Sequence, residues 1–388
     1  MTDCLAPAGR PRFDIGEIVR QHRAMLEAEV HLSLAQRRVL SAMALCRTAE
    51  LGGHVDVCRS CGFERPAYNS CRNRHCPKCQ ALRQEQWIAA RAERLLSTRH
   101  FHVVFTLPSE LRTLAQLAPR VIFGALFAAA SETLLELGES RLDARLGITM
   151  ILHTWTRELR FHPHVHALVT AGGLTTDGSR WAPSGRKYLF PVEVMGALLR
   201  GKMFAALRSL HARATFDDFV DPDGFDQLMR KLASHKHWLV YAKRPFVRSD
   251  HVLKYLGRYT HRVGISNSRL VDVQHDAVTF RTKNGKTVTL TPLEFLLRFV
   301  QHVLPDGLHK IRHYGLYAGA VDKARLVAQE KLAPRGSTTT TTPASTWAEQ
   351  LREVSGLDIH RCPQCGDTLE HRPVPAPSER APPPKGAA

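Results

Sequence analysis

Negative charge is what this chain has little of. Of its 388 residues 36 are Asp or Glu against 54 Lys or Arg, a net charge of +18, which makes a polyanion the leading class of partner. Long apolar runs are also missing. The longest, Val121–Ala130, falls far short of the roughly 20 residues that a membrane span needs, and residues 1–23 carry no apolar leader segment. A cytoplasmic protein that engages no membrane is expected. No G-x-x-x-x-G-K-[ST] loop occurs, so no nucleotide cofactor is expected, and there is no internal repeat. With 44% hydrophobic and 23% charged residues, the composition excludes a wholly disordered or collagen-like chain and fits two or three domains.

The order of patterns predicts an α+β fold. Apolar positions from Phe13 to about Thr48 recur at helical spacing and predict two short helices. From His54 to Gln80 the pattern gives way to cysteine, glycine and arginine, a small module without apolar mass of its own, followed by a connecting helix over Gln84–Ser97. His100–Leu107 reads as a strand and Leu111–Leu137 as a long helix. Gly147–Thr156 and Phe161–Thr170 form an antiparallel hairpin around the link Arg157–Arg160. Trp238–Ala242 is a further strand, Asp250–Val263 a helix, Leu270–Thr282 and Lys286–Leu290 a hairpin over Asn284-Gly285, and Pro292–Val303 a helix. The expected division is residues 1–97, helical and metal-organised; 98–333, catalytic; 334–346, a Gly/Ser/Thr linker; and 347–388, a cysteine knuckle with a proline-rich tail that does not fold.

Nine cysteines are an odd number, and seven of them sit in C-x-x-C or C-x-x-x-H-C clusters, which points to metal ligation rather than a disulfide framework. Cys58-x2-Cys61 and Cys76-x2-Cys79, separated by 14 residues, predict one closed, structural four-thiolate zinc site. Cys71 and His75 are alternative ligands in that module. Cys362 and Cys365, with His360 and His371, are a second candidate zinc group. Cys4 and Cys46 are left over, a tail thiol and a helix core residue. The basic side chains Arg59, Arg72, Arg74 and Lys78 on the knuckles suit phosphate contact.

His164 and His166 are two apart in a strand and face one side, with His162 at the strand entrance sharing their parity. If Arg157–Arg160 is the turn, His153 stands directly opposite His164 and is the physically motivated third ligand of a divalent metal with open positions. On the Asp250–Val263 helix, Tyr255 and Tyr259 lie four apart along the border between an apolar side and a basic side bearing Arg258 and Arg262. A phenol is a poor nucleophile at neutral pH unless positive charge stabilises its phenolate, which those arginines and a metal can supply.

The ordered set C-x2-C-x9-C-x3-H-C-x2-C, F-H-P-H-V-H, Y-L-G-R-Y-T-H-R-V-G-I-S-N and Lys310–Gly315 resembles the two-tyrosine rolling-circle insertion-sequence transposases of the IS91 group, within the HUH endonuclease superfamily, from about Ala35 to Ala320. The resemblance implies a small antiparallel sheet with a tyrosine helix over the metal. Under it, His164 and His166 are ligands of catalytic Mg2+ or Mn2+, Tyr255 and Tyr259 are nucleophiles, and the cysteine module is an N-terminal zinc-binding domain. It also implies an enzyme that nicks and transfers single-stranded DNA at insertion-sequence ends through 5′-phosphotyrosyl intermediates. A plasmid- or phage-type replication initiator or relaxase would share the histidines and tyrosines without the cysteine module. A non-enzymatic zinc-dependent DNA-binding protein would leave the histidines unexplained.

Overall fold

The computed structural model describes residues 11–246, 257, 264–332, 346, 349, 352, 356 and 358–377. Apart from Gly257, the expected tyrosine helix lies outside them, as do Cys4 and nearly all of the linker.

The chain opens with α1 (Ile15–Glu29) and α2 (Leu34–Leu45). Each starts where a side chain satisfies the free N–H groups of a first turn: Asp14 accepts from Gly16, and Ser33 and Gln36 form a reciprocal capping box. Their apolar faces, including Ile15, Ile18, Leu26, Leu40 and Met43, pack against Ile265, Phe280, Phe295 and Phe299 from far along the chain, so the N-terminal helices share one core with residues 264–300. The hairpin β1 (Gly53–Val57) and β2 (Glu64–Tyr68) follows, and then the connecting helix α3 (Gln80–Ala92).

The next stretch builds the main sheet: β3 (His100–Thr106), α4 (Arg112–Leu117), α5 (Pro119–Leu142), β4 (Ala144–Trp155), β5 (Phe161–Thr175), β6 (Trp181–Pro183), α6 (Val192–His211), α7 (Pro222–Ser234) and β7 (Val240–Phe246). Pro119 divides the long helix expected over 111–137, because proline fits a first helical turn but not an interior. The remainder is β8 (Leu270–Val273), β9 (Val278–Arg281), β10 (Thr287–Leu290), α8 (Pro292–Val300), β11 (Ile311–Gly315), α9 (Asp322–Leu332) and β12 (Glu370–Val374). Leu270–Thr282, expected as one strand, is thus two, and β8, β9 and β10 form a meander.

Among the described residues the main sheet is antiparallel with the order β11-β4-β5-β3-β7, and β6 adds to the far end of β5. The histidine strand β5 is therefore central. Strand periodicity gives the sheet two unlike faces. Phe101, Val103, Phe105, Ile148, Met150, Val165, Ala167 and Val169 point to the face covered by α5 and α6. The opposite face carries His100, His102, Thr149, His153, His164 and His166, and is covered in part by Trp87 and Leu95 against Ile151 and Leu168. Read as a helix rather than as an unbroken run, α5 is long and apolar enough to cross a membrane, but 67% of its most apolar stretch is buried, and Ile122, Phe123, Leu126, Phe127 and Leu134 belong to the main core.

The C-terminal arm departs most from expectation. Pro373 and Val374, assigned to an unfolded tail, lie in β12, which pairs antiparallel with β1 in the register Gly53↔Val374 to Val57↔Glu370. Strand β1 is the middle of a three-stranded sheet whose outer members come from opposite ends of the chain.

Candidate metal centres

In the hairpin of β4 and β5 His153 stands directly opposite His164 as expected, although the count from the link does not hold next to the turn, where Trp155 rather than Thr156 pairs with Phe161 across a register shift. Its turn is held from beneath. The buried His302 donates from Nε2 to the Leu159 carbonyl (3.1 Å), and its Nδ1 meets the Thr154 hydroxyl at 3.2 Å. Leu159, at φ +61°, is fully buried in the N-terminal core. Packing of a leucine rather than glycine chemistry fixes this turn, and with it the alignment of the histidines above.

His153, His164 and His166 converge so that one ligand nitrogen from each lies within 4.8 Å of the others. Their accessory bonds specify which nitrogen is offered. His164 Nδ1 donates to the His162 carbonyl at 2.6 Å, which leaves Nε2 with the lone pair. His166 Nδ1 meets His102 Nε2 at 2.8 Å, so its Nε2 is again the nitrogen left to face the group. Burial holds His164 down to about 4 and His166 well below its usual range, with His153 and His164 adding to the effect. The imidazoles are therefore neutral at pH 7, the form that ligates metals. These features fit a divalent ion. His162 stands outside the group, its Nδ1 accepting from Arg112 at 3.3 Å.

Sequence reasoning missed His102. It lies on β3 opposite Leu168, one diagonal step from His166, whose direct partner is Val104. The signal was there: His100 and His102 share the parity of the histidine face in a strand that was itself expected.

The cysteines group differently from the expected Cys58, Cys61, Cys76, Cys79 shell. Cys76 and Cys79 meet Cys71 and Cys46, with Sγ–Sγ separations of 3.4 Å for Cys46–Cys79 and 3.6 Å for Cys71–Cys79. Cys46, taken for a core residue, caps the end of α2. Cys58 and Cys61 instead meet Cys362 and Cys365. The reason is geometric: β1 and β2 carry the first knuckle away from the second, and the return of β12 brings the C-terminal knuckle to it. Within the first group, hydrogen bonding to Cys71 draws Cys46 down to about 7, while Cys46 pushes Cys76 well up. Four such sulfurs share protons, and a cation allows all of them to be thiolates.

His75 is no ligand in this arrangement. Its side chain is buried against Asn73, and its Nε2 accepts from the Leu304 backbone at 3.3 Å. Arg74 donates to the carbonyls of Leu304, Pro305 and Leu308, and Lys78 to Asp14 and the Cys46 carbonyl, so both support the loop rather than offer charge to phosphate. Arg59 pairs with Glu370. His371 binds Asp56 at 2.6 Å alongside His54 and Arg65, and neither His371 nor His360 joins the C-terminal cysteines.

Tyr255, Tyr259, Arg258 and Arg262 lie outside the described residues. Gly257, between the tyrosines, is helical and buried; a Cβ there would come within 2.3 Å of Ile88 on α3.

Comparison with known proteins is decisive at this point. A family model described as "Transposase zinc-binding domain" matches residues 18–107, and one described as "Putative transposase" matches residues 147–325. The chain is 38% identical over 378 residues to "Putative transposase y4qJ" of Sinorhizobium fredii, covering 91% of this chain and 92% of that protein. The chain belongs to the IS91-family transposases. It is also 29% identical over 343 residues to "Transposase for insertion sequence element IS801" of Pseudomonas savastanoi pv. phaseolicola, covering 84% of this chain and 81% of that one. No solved structure matches. The transposase thus has a zinc-binding N-terminal domain, and its clustered cysteines are the donors suited to structural Zn2+.

Proposed function

We propose that this transposase is a single-strand DNA endonuclease and strand transferase that acts at insertion-sequence ends in rolling-circle transposition. The observation that carries the reading is the convergence of His153, His164 and His166 on the central strands of the sheet, with His166 backed by His102. A zinc-dependent DNA-binding protein without catalysis has no use for that group. His153, His164 and His166 would hold Mg2+ or Mn2+, which when bound supplies Lewis-acid polarisation of a phosphate oxygen. Tyr255 and Tyr259 are the nucleophiles. The attacking phenol loses its proton, its oxygen bonds to phosphorus, the P–O3′ bond breaks, and the products are a 5′-phosphotyrosyl link and a free 3′-OH. Arg258 and Arg262 favour the phenolate, and the second tyrosine permits a second transfer. Each step exchanges one phosphodiester for another, so the reaction conserves bond energy and needs no nucleotide cofactor. The net charge of +18 favours DNA as the partner.

The packing of Gly257 on Ile88 supports the placement, because α3 also sends Trp87 onto the histidine face of the sheet. The test is a labelled single strand carrying an insertion-sequence end, incubated with protein and Mg2+ and examined for an adduct that survives denaturation. The Tyr255→Phe/Tyr259→Phe variant should bind DNA and form no adduct, and His164→Ala/His166→Ala should form none while keeping its zinc. An adduct mapped to Tyr241 or Tyr314, or full nicking by the double histidine variant, would overturn the proposal.

A further inference from the structure

Cys58-Arg59-Ser60-Cys61-Gly62 and Cys362-Pro363-Gln364-Cys365-Gly366 are two copies of one turn. In each, the first cysteine donates its N–H to the carbonyl five residues on, Cys58 to Phe63 at 2.8 Å and Cys362 to Asp367 at 2.7 Å. In each, the glycine N–H returns to the carbonyl of that cysteine, at 3.0 and 2.9 Å. The glycines have φ of +73° and +77°, where a side chain is disfavoured. The Gln364 N–H also points at Cys362 Sγ, 3.4 Å away. Turns of this kind present two sulfurs on one side, and here the two turns face each other. Cys58 and Cys365 stand 3.4 Å apart and Cys61 and Cys362 3.6 Å apart, with all four sulfurs within 4.8 Å. The edge of a tetrahedron with Zn–S bonds of about 2.3 Å is about 3.8 Å.

Besides the β1 ladder, the arm is anchored by His371 on Asp56 and by Asp367 on Ser60, but its apolar support is small. Its apolar cover is Cys58, Cys362, Leu369 and the partly buried Phe63. Arg59–Glu370 is an exposed ion pair and contributes little. The pairing of β12 with β1 needs the arm to be brought back across a long stretch of chain, an entropic cost that so small a core does not offset. We propose that Cys58, Cys61, Cys362 and Cys365 form a second structural zinc site, separate from the Cys46 shell, which clamps residues 358–377 to the N-terminal module across a sequence separation of 307 residues. Half of its ligands lie beyond both family matches, which end at residues 107 and 325. The four sulfurs close the shell, so the ion is structural and does not meet substrate.

The experiment uses the full-length protein, purified under reducing conditions, with zinc counted by elemental analysis and backbone protection followed by amide hydrogen exchange. Wild type should carry two zinc ions per chain. Cys362→Ser/Cys365→Ser should carry one, and protection of residues 370–374 should fall at least tenfold while that of residues 147–155 stays as in wild type. One zinc in wild type, two in the variant, or unchanged protection of residues 370–374 would each overturn the clamp. None of these readouts depends on DNA cleavage.

Discussion

Replacing His102 with phenylalanine isolates the part of the histidine site that the sequence did not announce. The ring keeps its volume on β3 and its parallel stacking on His166, now at 5.1 Å between centroids and 8° between planes, but loses the nitrogen that meets His166 Nδ1 at 2.8 Å. Two consequences follow. The Nδ1–H of a buried imidazole loses its acceptor, which costs about 1–3 kcal/mol of stability. The His166 ring is also released from the bond that fixes its tautomer and aims its Nε2, and loss of such a supporting partner weakens metal binding by about 10–100-fold. Because His102 does not itself face the metal group, the loss should appear in metal affinity rather than in the chemical step. Nicking of labelled single-stranded DNA titrated with Mn2+ should show a half-saturating concentration raised by about 10–100-fold, with the rate at saturating metal within a few-fold of wild type. His102→Gln, which keeps an acceptor, should recover part of the affinity. A Phe variant with lowered thermal stability and an unchanged Mn2+ titration would refute the reasoning and reduce His102 to a packing residue.

Acid should unfold the protein through histidines buried in neutral form. Burial holds His100 and His302 at about 4, against about 6.5 in the unfolded chain, so their contribution is complete above pH 6.5 and is lost as pH falls towards 4, at about 1.4 kcal/mol per pH unit for each. Urea unfolding between pH 6.5 and 5 should show at least that slope, since His164 and His166 are held down in the same way, and His302→Gln should lower it by about 1.4 kcal/mol per pH unit; an unaltered slope in the variant would assign acid sensitivity to other groups. Gly315→Ala places a Cβ against the Leu146 carbonyl at φ +57° and should lower stability by about 3 kcal/mol or more, whereas Gly178→Ala, at φ +72° with open space around it, should cost about 1 kcal/mol; equal melting temperatures for the two would contradict the close approach of β11 to β4. Deleting residues 358–388 uncovers one edge of β1 and should produce concentration-dependent self-association in light scattering that the full chain does not show.

The histidine site was legible because strand geometry is a two-residue code and a short link fixes register: His153, His164 and His166 followed from counting alone. The α+β class followed from similar local signals, whereas the antiparallel sheet was implied by the family resemblance. What counting could not reach was anything set by distant chain. Strand β11, whose His313 reaches Thr149 on β4, is five residues long and announces itself only by pairing. The cysteine groups show the same limit more sharply. Six candidate ligands in residues 58–79 were too many for one tetrahedral ion and too few for two, a conflict that one local module cannot resolve. Cys46 completes one shell from the end of α2, and Cys362 with Cys365 completes the other from beyond the linker. Eight cysteines then fill two shells of four. The excess of ligands was itself the clue: a four-coordinate ion takes four donors, so a module offering five thiolates and a histidine must divide them and borrow from elsewhere, and the cysteines to borrow were those set aside as core, tail or a separate knuckle.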